Sequence, residues 1–357
     1  MTIEAKNLLL AASLCLALSG CEVAEPAKDT GTGFKDLSFI CATYVGHWPN
    51  QALAFFDARP CDYNVVSIVD PAFKNGEPHV GACAELPALI ELLHKNGAKA
   101  LLSLPGDKLF LEAVGSDESR ERFCNKAVAF MRAHGYDGIS IDWEHSVEGH
   151  LDQHYLLIRD LRKGIDATAK AGAKGYLSTA LHPYVTLKYP PELARLLCRE
   201  IDWIDLMTYD MCTYAPARHN APLAPIVQYL AKMRALGFPP DKTCLGLASY
   251  GYRYNGIRPG EAFGKNESPQ YVSWTKFKTL QETAQWKASY DPIAQAGQYF
   301  SPDGKDFITI DTPDSLAAKA TLVLKDGYRG VFWWEFSYDL SGGRQLLAEP
   351  VAKQLWR

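Results

Sequence analysis

The stretch GYDGISIDWEH, residues 135–145, decides how the chain is read. It is a β-branched, strand-like run that carries Asp142 and Glu144 two positions apart, with Ser140 two positions before them. Side chains alternate between the two faces of a strand, so Ser140, Asp142 and Glu144 share one face. Ile139, Ile141 and Trp143 take the other. One apolar and one acidic face is ordinary on a solvated antiparallel sheet. In the bore of a parallel barrel it is not, because a buried carboxylate without a partner is costly.

Working outward, short β-rich runs alternate with helical patterns from about residue 36. The strand candidates are LSFICATY (37–44), NVVSIVD (64–70), KALLSLP (99–105) and GISIDWE (138–144). They continue with GYLSTALHP (175–183), WIDLMTY (203–209), TCLGLASY (243–250) and RGVFWWEF (329–336). Segments such as AELPALIELLHKNG, SRERFCNKAVAFMRAHGYD, PPELARLLCRE and LAPIVQYLAKMRALG separate them, with apolar residues at helical spacing. Eight strand–helix repeats in one α/β chain predict a (β/α)8 TIM barrel. Residues 251–327, with Gly-rich turns, YVSWTKF and DFITIDT, read as an α+β insertion between strands seven and eight. It ends in the helix DSLAAKATLVLKDG. In such a barrel the apolar face of 139–143 packs under helices, and Ser140, Asp142 and Glu144 climb the bore toward the C-terminal end, where barrel active sites lie. No Lys or Arg at the predicted strand ends is an obvious partner for them.

Composition narrows the function. The chain has 357 residues, 47% of them hydrophobic, enough for a large core. Its net charge of −4 and lack of a basic block argue against nucleic acid as a partner. After Lys6, the run LLLAASLCLALSG is too short to span a bilayer and reads as a secretory h-region. Residues 1–20 are therefore expected to be a signal peptide and 21–35 a tether, with 36–357 the catalytic barrel. Leu18-Ser19-Gly20-Cys21 resembles the lipobox of bacterial lipoproteins. That resemblance implies lipidation at Cys21 and export to the cell envelope (outer membrane or cell surface), with the membrane reached only through the lipid anchor. The remaining cysteines are widely spaced, with no CxxC pair, so neither a zinc site nor a disulfide is assigned. Cys41 and Cys198 sit in apolar runs as small core hydrophobes. His145, His150 and His154 follow strand four without a metal motif and are read as solvent-facing; no metal or cofactor is expected.

Two stacked carboxylates repel, which raises the pKa of one. A protonated Glu144 at the rim suits a general acid, with the carboxylate below it staying charged to stabilise positive charge on the substrate. Here the sequence resembles the DGxDxDxE signature of glycoside hydrolase family 18, the chitinase family. LMTYD (206–210), LLSLPG (101–106, with Pro105 in place of a Gly), LGLASYG (245–251) and the segment 286–339 are similar to further family motifs, in the same order. The resemblance implies substrate-assisted retaining hydrolysis, an exception to the two-carboxylate scheme. It implies that Glu144 is the acid/base and that Asp142 orients the acetamido N–H and stabilises an oxazolinium ion. It also implies that Tyr209 bonds the acetamido group, that Asp210 lines the same subsite, and that Trp334 is the sugar floor. Tyr44 is read as a further substrate contact, and Met207 as either a substrate-binding subsite wall or plain core. Ser140 stands where the family carries its middle Asp, and HSVEGH follows Glu144 where YP is common. The favoured substrate is chitin or chito-oligosaccharide. The alternatives are the chitobiose core of N-glycans, cut by an endo-β-N-acetylglucosaminidase, and a chitinase-like lectin without catalysis.

Overall fold

All eight expected strands form, and they close on themselves. The computed structural model describes residues 37–46, 49–58, 62–74, 77–78, 83–169, 174–213, 216–264 and 269–355. The expected signal peptide, tether and Cys21 lie outside the described residues. The barrel strands are β1 (Ile40–Val45), β2 (Val65–Val69), β3 (Lys99–Pro105), β4 (Gly138–Asp142), β5 (Tyr176–Leu181), β6 (Trp203–Leu206), β7 (Thr243–Ala248) and β8 (Gly330–Trp334). Each is parallel to its neighbours, and β1 closes the ring by pairing with both β2 and β8. Among the described residues, no helix is long and apolar enough to cross a membrane.

Helices carry the parallel crossovers, as parallel pairing requires. Asp117–Ala133 follows β3 and Leu151–Ala167 follows β4. The first begins where Ser116 and Ser119 cap each other's backbone N–H, which fixes its start and its angle onto the sheet. The outward residues Ile139 and Ile141 of β4, and Trp143 just past its end, are fully buried beneath these helices. Gly138 has to be glycine, since a Cβ there would lie 2.3 Å from the Tyr176 carbonyl oxygen of β5. The register sets Ser103 of β3 beside Ser140 and Ser140 beside Ser178 of β5. Three small hydroxyl residues therefore share one layer of the bore, where barrels of this type usually hold Val, Ile or Leu. Cys41 and Cys198 are buried, as their apolar runs suggested.

The excursion between β7 and β8 is a five-stranded antiparallel sheet. Its order is Gln270–Ser273, Tyr250–Tyr254, Phe307–Ile310, Ala296–Phe300, Lys287–Asp291, with helix Trp274–Ala284 beside it. Tyr250–Tyr254 leaves directly from the top of β7, so the sheet stands at the mouth of the barrel. Its return is anchored by a buried ion pair. Lys319, on helix Pro313–Lys325, reaches Asp311 at 2.6 Å, and both side chains are 1% exposed. Ser315 Oγ donates to the other Asp311 oxygen at 2.7 Å. Removing one member strands a charge in the core. Lys319→Met should lower the unfolding free energy by about 3–5 kcal/mol, and Lys319→Met/Asp311→Asn should recover part of the loss. Urea titration of the three proteins checks both outcomes.

Candidate active site

The end of β4 is held by its outward side chain. Trp143 is fully buried, stacks on Phe110 with ring centroids 5.4 Å apart, and donates its indole N–H to Ser146 Oγ at 2.7 Å. Asp107, at the start of the helix that follows β3, accepts from the backbone N–H of His145 (3.1 Å) and Ser146 (2.7 Å) and from Ser146 Oγ (2.8 Å). The backbone on either side of Glu144 is thereby pinned. Its carboxylate stands at the rim, 36% exposed, with His182 Nε2 at 3.5 Å from Oε2.

Asp142 lies beneath, 5% exposed, and its buried Oδ1 has no hydrogen-bond partner among the described residues. Among the described residues it forms no ion pair. Burial first, then the negative charges of Glu144, Asp205 and Asp107, push its pKa well above the usual carboxylate range. The sequence reading expected the lower carboxylate to stay charged. The structure reverses this: the carboxyl forced toward its protonated form is Asp142. The reason is depth, because desolvation outweighs mutual repulsion at the bottom of the pair.

Tyr209 and Asp210 follow β6. Tyr209 packs edge-on against Tyr250 (5.8 Å) and Phe332 (6.0 Å), and Gly246 of β7 makes room for it, since a Cβ there would stand 2.7 Å from its ring. Asp210 accepts from Tyr250 Oη at 2.7 Å and Tyr252 Oη at 2.8 Å, both carried by the inserted sheet. Burial raises its pKa even so. Trp334 ends β8 partly exposed, its ring 5.6 Å from that of Tyr44, and the chain leaves it through a cis peptide to Glu335. Met207 is 5% exposed, as deep as Asp142. One expected substrate contact has its polar end turned to the core: Tyr44 is 1% exposed with its hydroxyl committed to Ser140 (3.0 Å) and Asp205 (2.9 Å). Tyr44 therefore supports the site from below.

A cleft of about 1070 Å³ opens over the β4–β6 side of the mouth, lined by Glu144, His182, Tyr184, Tyr209, Asp210 and Met211 among others. His182 and Tyr184 stack with centroids 5.3 Å apart, and the His145 ring lies parallel to His182 at 6.3 Å. This aromatic wall was not anticipated, although His182 ends a strand candidate on the catalytic side. His154 corrects the solvent-facing reading: it is fully buried, with its ring nitrogens on Tyr189 Oη (2.6 Å) and Thr179 Oγ1 (3.1 Å). Burial pushes its pKa down to about 3, so it is a neutral core residue. Glu144, His145 and His182 bring donor atoms within 4.8 Å of one another, the one group among the described residues with the ligand types a metal ion would need. Asp205 was also missed. It occupies the inward face of β6 with Trp203 and Met207, a parity visible in WIDLMTY.

A closed parallel barrel with a carboxyl pair at the C-terminal rim, beside tyrosines and an open tryptophan, defines a barrel glycoside hydrolase. The family model of glycosyl hydrolases family 18 matches residues 41–339, and the chain belongs to that family. It is 26% identical over 284 residues to Chitinase A1 of Niallia circulans, a match covering 68% of this chain and 40% of that protein. It is 29% identical over 300 residues to Endochitinase 1 of Metarhizium anisopliae, covering 77% and 69% of the two chains. The solved family 18 N-acetylglucosaminidase from Paenibacillus barengoltzii shares its fold, with a TM-score of 0.75 at 21% identity over 88% of this chain and 99% of that one.

The raised Asp142 pKa carries a cost to the fold. Below the unfolded-state value of about 3.9, both states hold the proton and nothing is lost. As pH rises past it, the unfolded chain ionises first, the folded state binds more protons, and stability falls. Asp142→Asn should therefore melt higher than wild type at pH 7, with the gap closing toward pH 4 and below. Thermal melts across pH, run beside an activity assay that the variant should fail, check this trade.

Proposed function

We propose that this protein hydrolyses β-1,4 bonds next to N-acetylglucosamine in chitin or chito-oligosaccharides, with retention, using the substrate's own acetamido group as the nucleophile. The observation that carries this reading is the stacked carboxyl pair. Glu144 is open to the cleft, while Asp142 beneath it offers a buried oxygen that nothing among the described residues satisfies. An unsatisfied buried acceptor is expensive unless a ligand completes it. An acetamido N–H arriving from the cleft would do so.

In this mechanism Glu144 gives its proton to the glycosidic oxygen as the C1–O bond breaks, and the acetamido carbonyl oxygen bonds C1. The proton that rests on Asp142 passes to Glu144 before this step, so Asp142 orients the acetamido N–H and, now a carboxylate, offsets the positive charge that develops on the resulting oxazolinium ring. Tyr209 bonds the acetamido group from the β6 side, and Trp334 presents its face to the sugar. Water then attacks C1, Glu144 takes its proton, and the acetamido group is restored. The aromatic wall of His145, His182 and Tyr184 would receive the leaving part of the chain, since flat faces suit sugar C–H surfaces. The chitinases and endochitinase among the relatives support the substrate class.

The test is N-acetylchitotetraose hydrolysis followed by proton NMR. Wild type should release product first as the β-anomer, and Glu144→Gln should be slower by about 10²–10⁴-fold. An intact tetramer together with cleavage of a high-mannose glycopeptide would replace the substrate assignment. An intact tetramer that stays bound, with both substrates uncut, would leave a lectin.

The lipobox-like Leu18-Ser19-Gly20-Cys21 supports export and anchoring by a lipid on Cys21. Expressed in a bacterium, the full chain should fractionate with membranes, and Cys21→Ser should release it or block its processing. Wild-type protein found unlipidated in the medium would end this reading.

A further inference from the structure

Ser140 leaves β4 with one carboxyl fewer beneath Glu144 than the family signature has, yet the bore at this level still holds a second carboxyl. Asp205 enters from the inward face of β6, 1% exposed. Its Oδ2 accepts from Tyr44 Oη at 2.9 Å and from Ser178 Oγ at 3.5 Å, and its Oδ1 accepts from Trp203 Nε1 at 3.1 Å. The Tyr44 hydroxyl that donates to Asp205 also lies 3.0 Å from Ser140 Oγ. With the tyrosine proton given to Asp205, Ser140 must be the donor in that second bond. The chain Ser140–Tyr44–Asp205 thus runs in one direction and ends on the β6 carboxylate.

We propose that Asp205 is a positioning residue that has taken over, from the neighbouring side of the bore, the task of the carboxylate replaced by Ser140: its negative charge holds one proton on the Asp142–Glu144 pair. The inference rests on the catalytic reading of that pair given above.

The donor count says which carboxyl keeps the proton. Asp205 has three donors aimed at it, which favour a carboxylate, whereas Asp142 Oδ1 has none, which favours the neutral acid. Burial still lifts Asp205 to about 7, so its charge is present around neutrality and fades below. Facing Asp205 from the packed strands are Tyr44 on β1, Asp142 on β4 and Cys244 on β7. Glu144 and Asp107 face Asp142 itself. Among the described residues neither Asp142 nor Asp205 forms an ion pair, so no cation cancels the repulsion between them. The serine layer of Ser103, Ser140 and Ser178 is the steric counterpart, because small side chains on three adjacent strands leave room for the Tyr44 hydroxyl to reach across the bore.

The test compares the full-length wild type with Asp205→Asn, Ser140→Asp and Ser140→Asp/Asp205→Asn, scoring kcat/KM against pH on N-acetylchitotetraose. Without Asp205's charge the pair should lose its proton earlier, so the alkaline limb of Asp205→Asn should move down by about one pH unit or more. Its kcat should fall above the displaced limb, by up to about tenfold for each pH unit the limb moves, with little change in KM. Ser140→Asp alone, which crowds a further carboxylate against Asp142, should move the limb upward. The double variant should return it toward wild type, a rescue that a merely structural role for Asp205 would not give. Should Asp205→Asn fold poorly, the double variant decides alone: a wild-type limb supports the assignment and a displaced one overturns it. An unchanged limb in folded Asp205→Asn also overturns it. A 13C titration of the Asp142 carboxyl, assigned by its loss in Asp142→Asn, reads the same effect without turnover. A wild type silent on every glycan would sink the catalytic reading only, while an Asp142 midpoint unmoved by Asp205→Asn would sink this inference only.

Discussion

Alternation along β4 is the constraint on which the rest of this molecule depends. In a closed parallel ring there is no second solvated face to receive misplaced polar groups. Once Ile139, Ile141 and Trp143 are committed to the helices, Ser140, Asp142 and Glu144 must point into the bore. The carboxyls cannot be moved outward without burying them against helices. They can only be placed at the one end of the bore that opens to solvent. Glu144 reaches that opening and Asp142 does not, and this difference of one pleat separates a half-exposed acid from a buried carboxyl with an empty acceptor.

The surroundings of the pair are arranged around that difference. From outside, Trp143, Ser146 and Asp107 fix the backbone that carries Glu144. From the bore, a band of serines and Tyr44 connects β4 to Asp205. From above, the inserted sheet lends Tyr250 and Tyr252 to Asp210, so the excursion between β7 and β8 helps set the electrostatics of the residue next to Tyr209. The Asp311–Lys319 pair, deep in the return from that sheet, links the excursion to the helix leading back to β8 and Trp334. A polar network of this kind has value only when each member is satisfied. Among the described residues Asp142 Oδ1 is the one buried carboxyl oxygen without a partner, and it marks the place where a ligand belongs.

Much of this was legible in the chain. Period-two runs gave all eight strands, helical spacing gave the crossovers, and the long gap after TCLGLASY gave the insertion. The parity of β4 placed Asp142 and Glu144 on one face, and the same parity in WIDLMTY would have placed Asp205 beside Met207 had it been followed one step back. Other features were not legible. HGYDGISIDWEHSVEGHLDQH shows a run of histidines after the strand, yet nothing local separates buried His154 from exposed His145. The partners that bury His154, Tyr189 and Thr179, come from later segments. Tyr44 looked like a sugar contact because it is an aromatic residue on strand one, but its hydroxyl is drawn inward by Asp205, 161 positions away.

The sequence by itself determined the architecture, the face of β4 that carries the acids and the family to which the chain belongs, because these follow from local periodicity and from motifs within single strands. Only the tertiary structure decided which carboxyl of the pair is forced toward its proton, how deep Tyr44 sits, and that the Tyr44 hydroxyl joins Asp205 of β6 to Ser140 of β4. Those properties depend on burial and on charges several strands apart. Desolvation and Coulomb repulsion act through space, and no spacing along the chain encodes them.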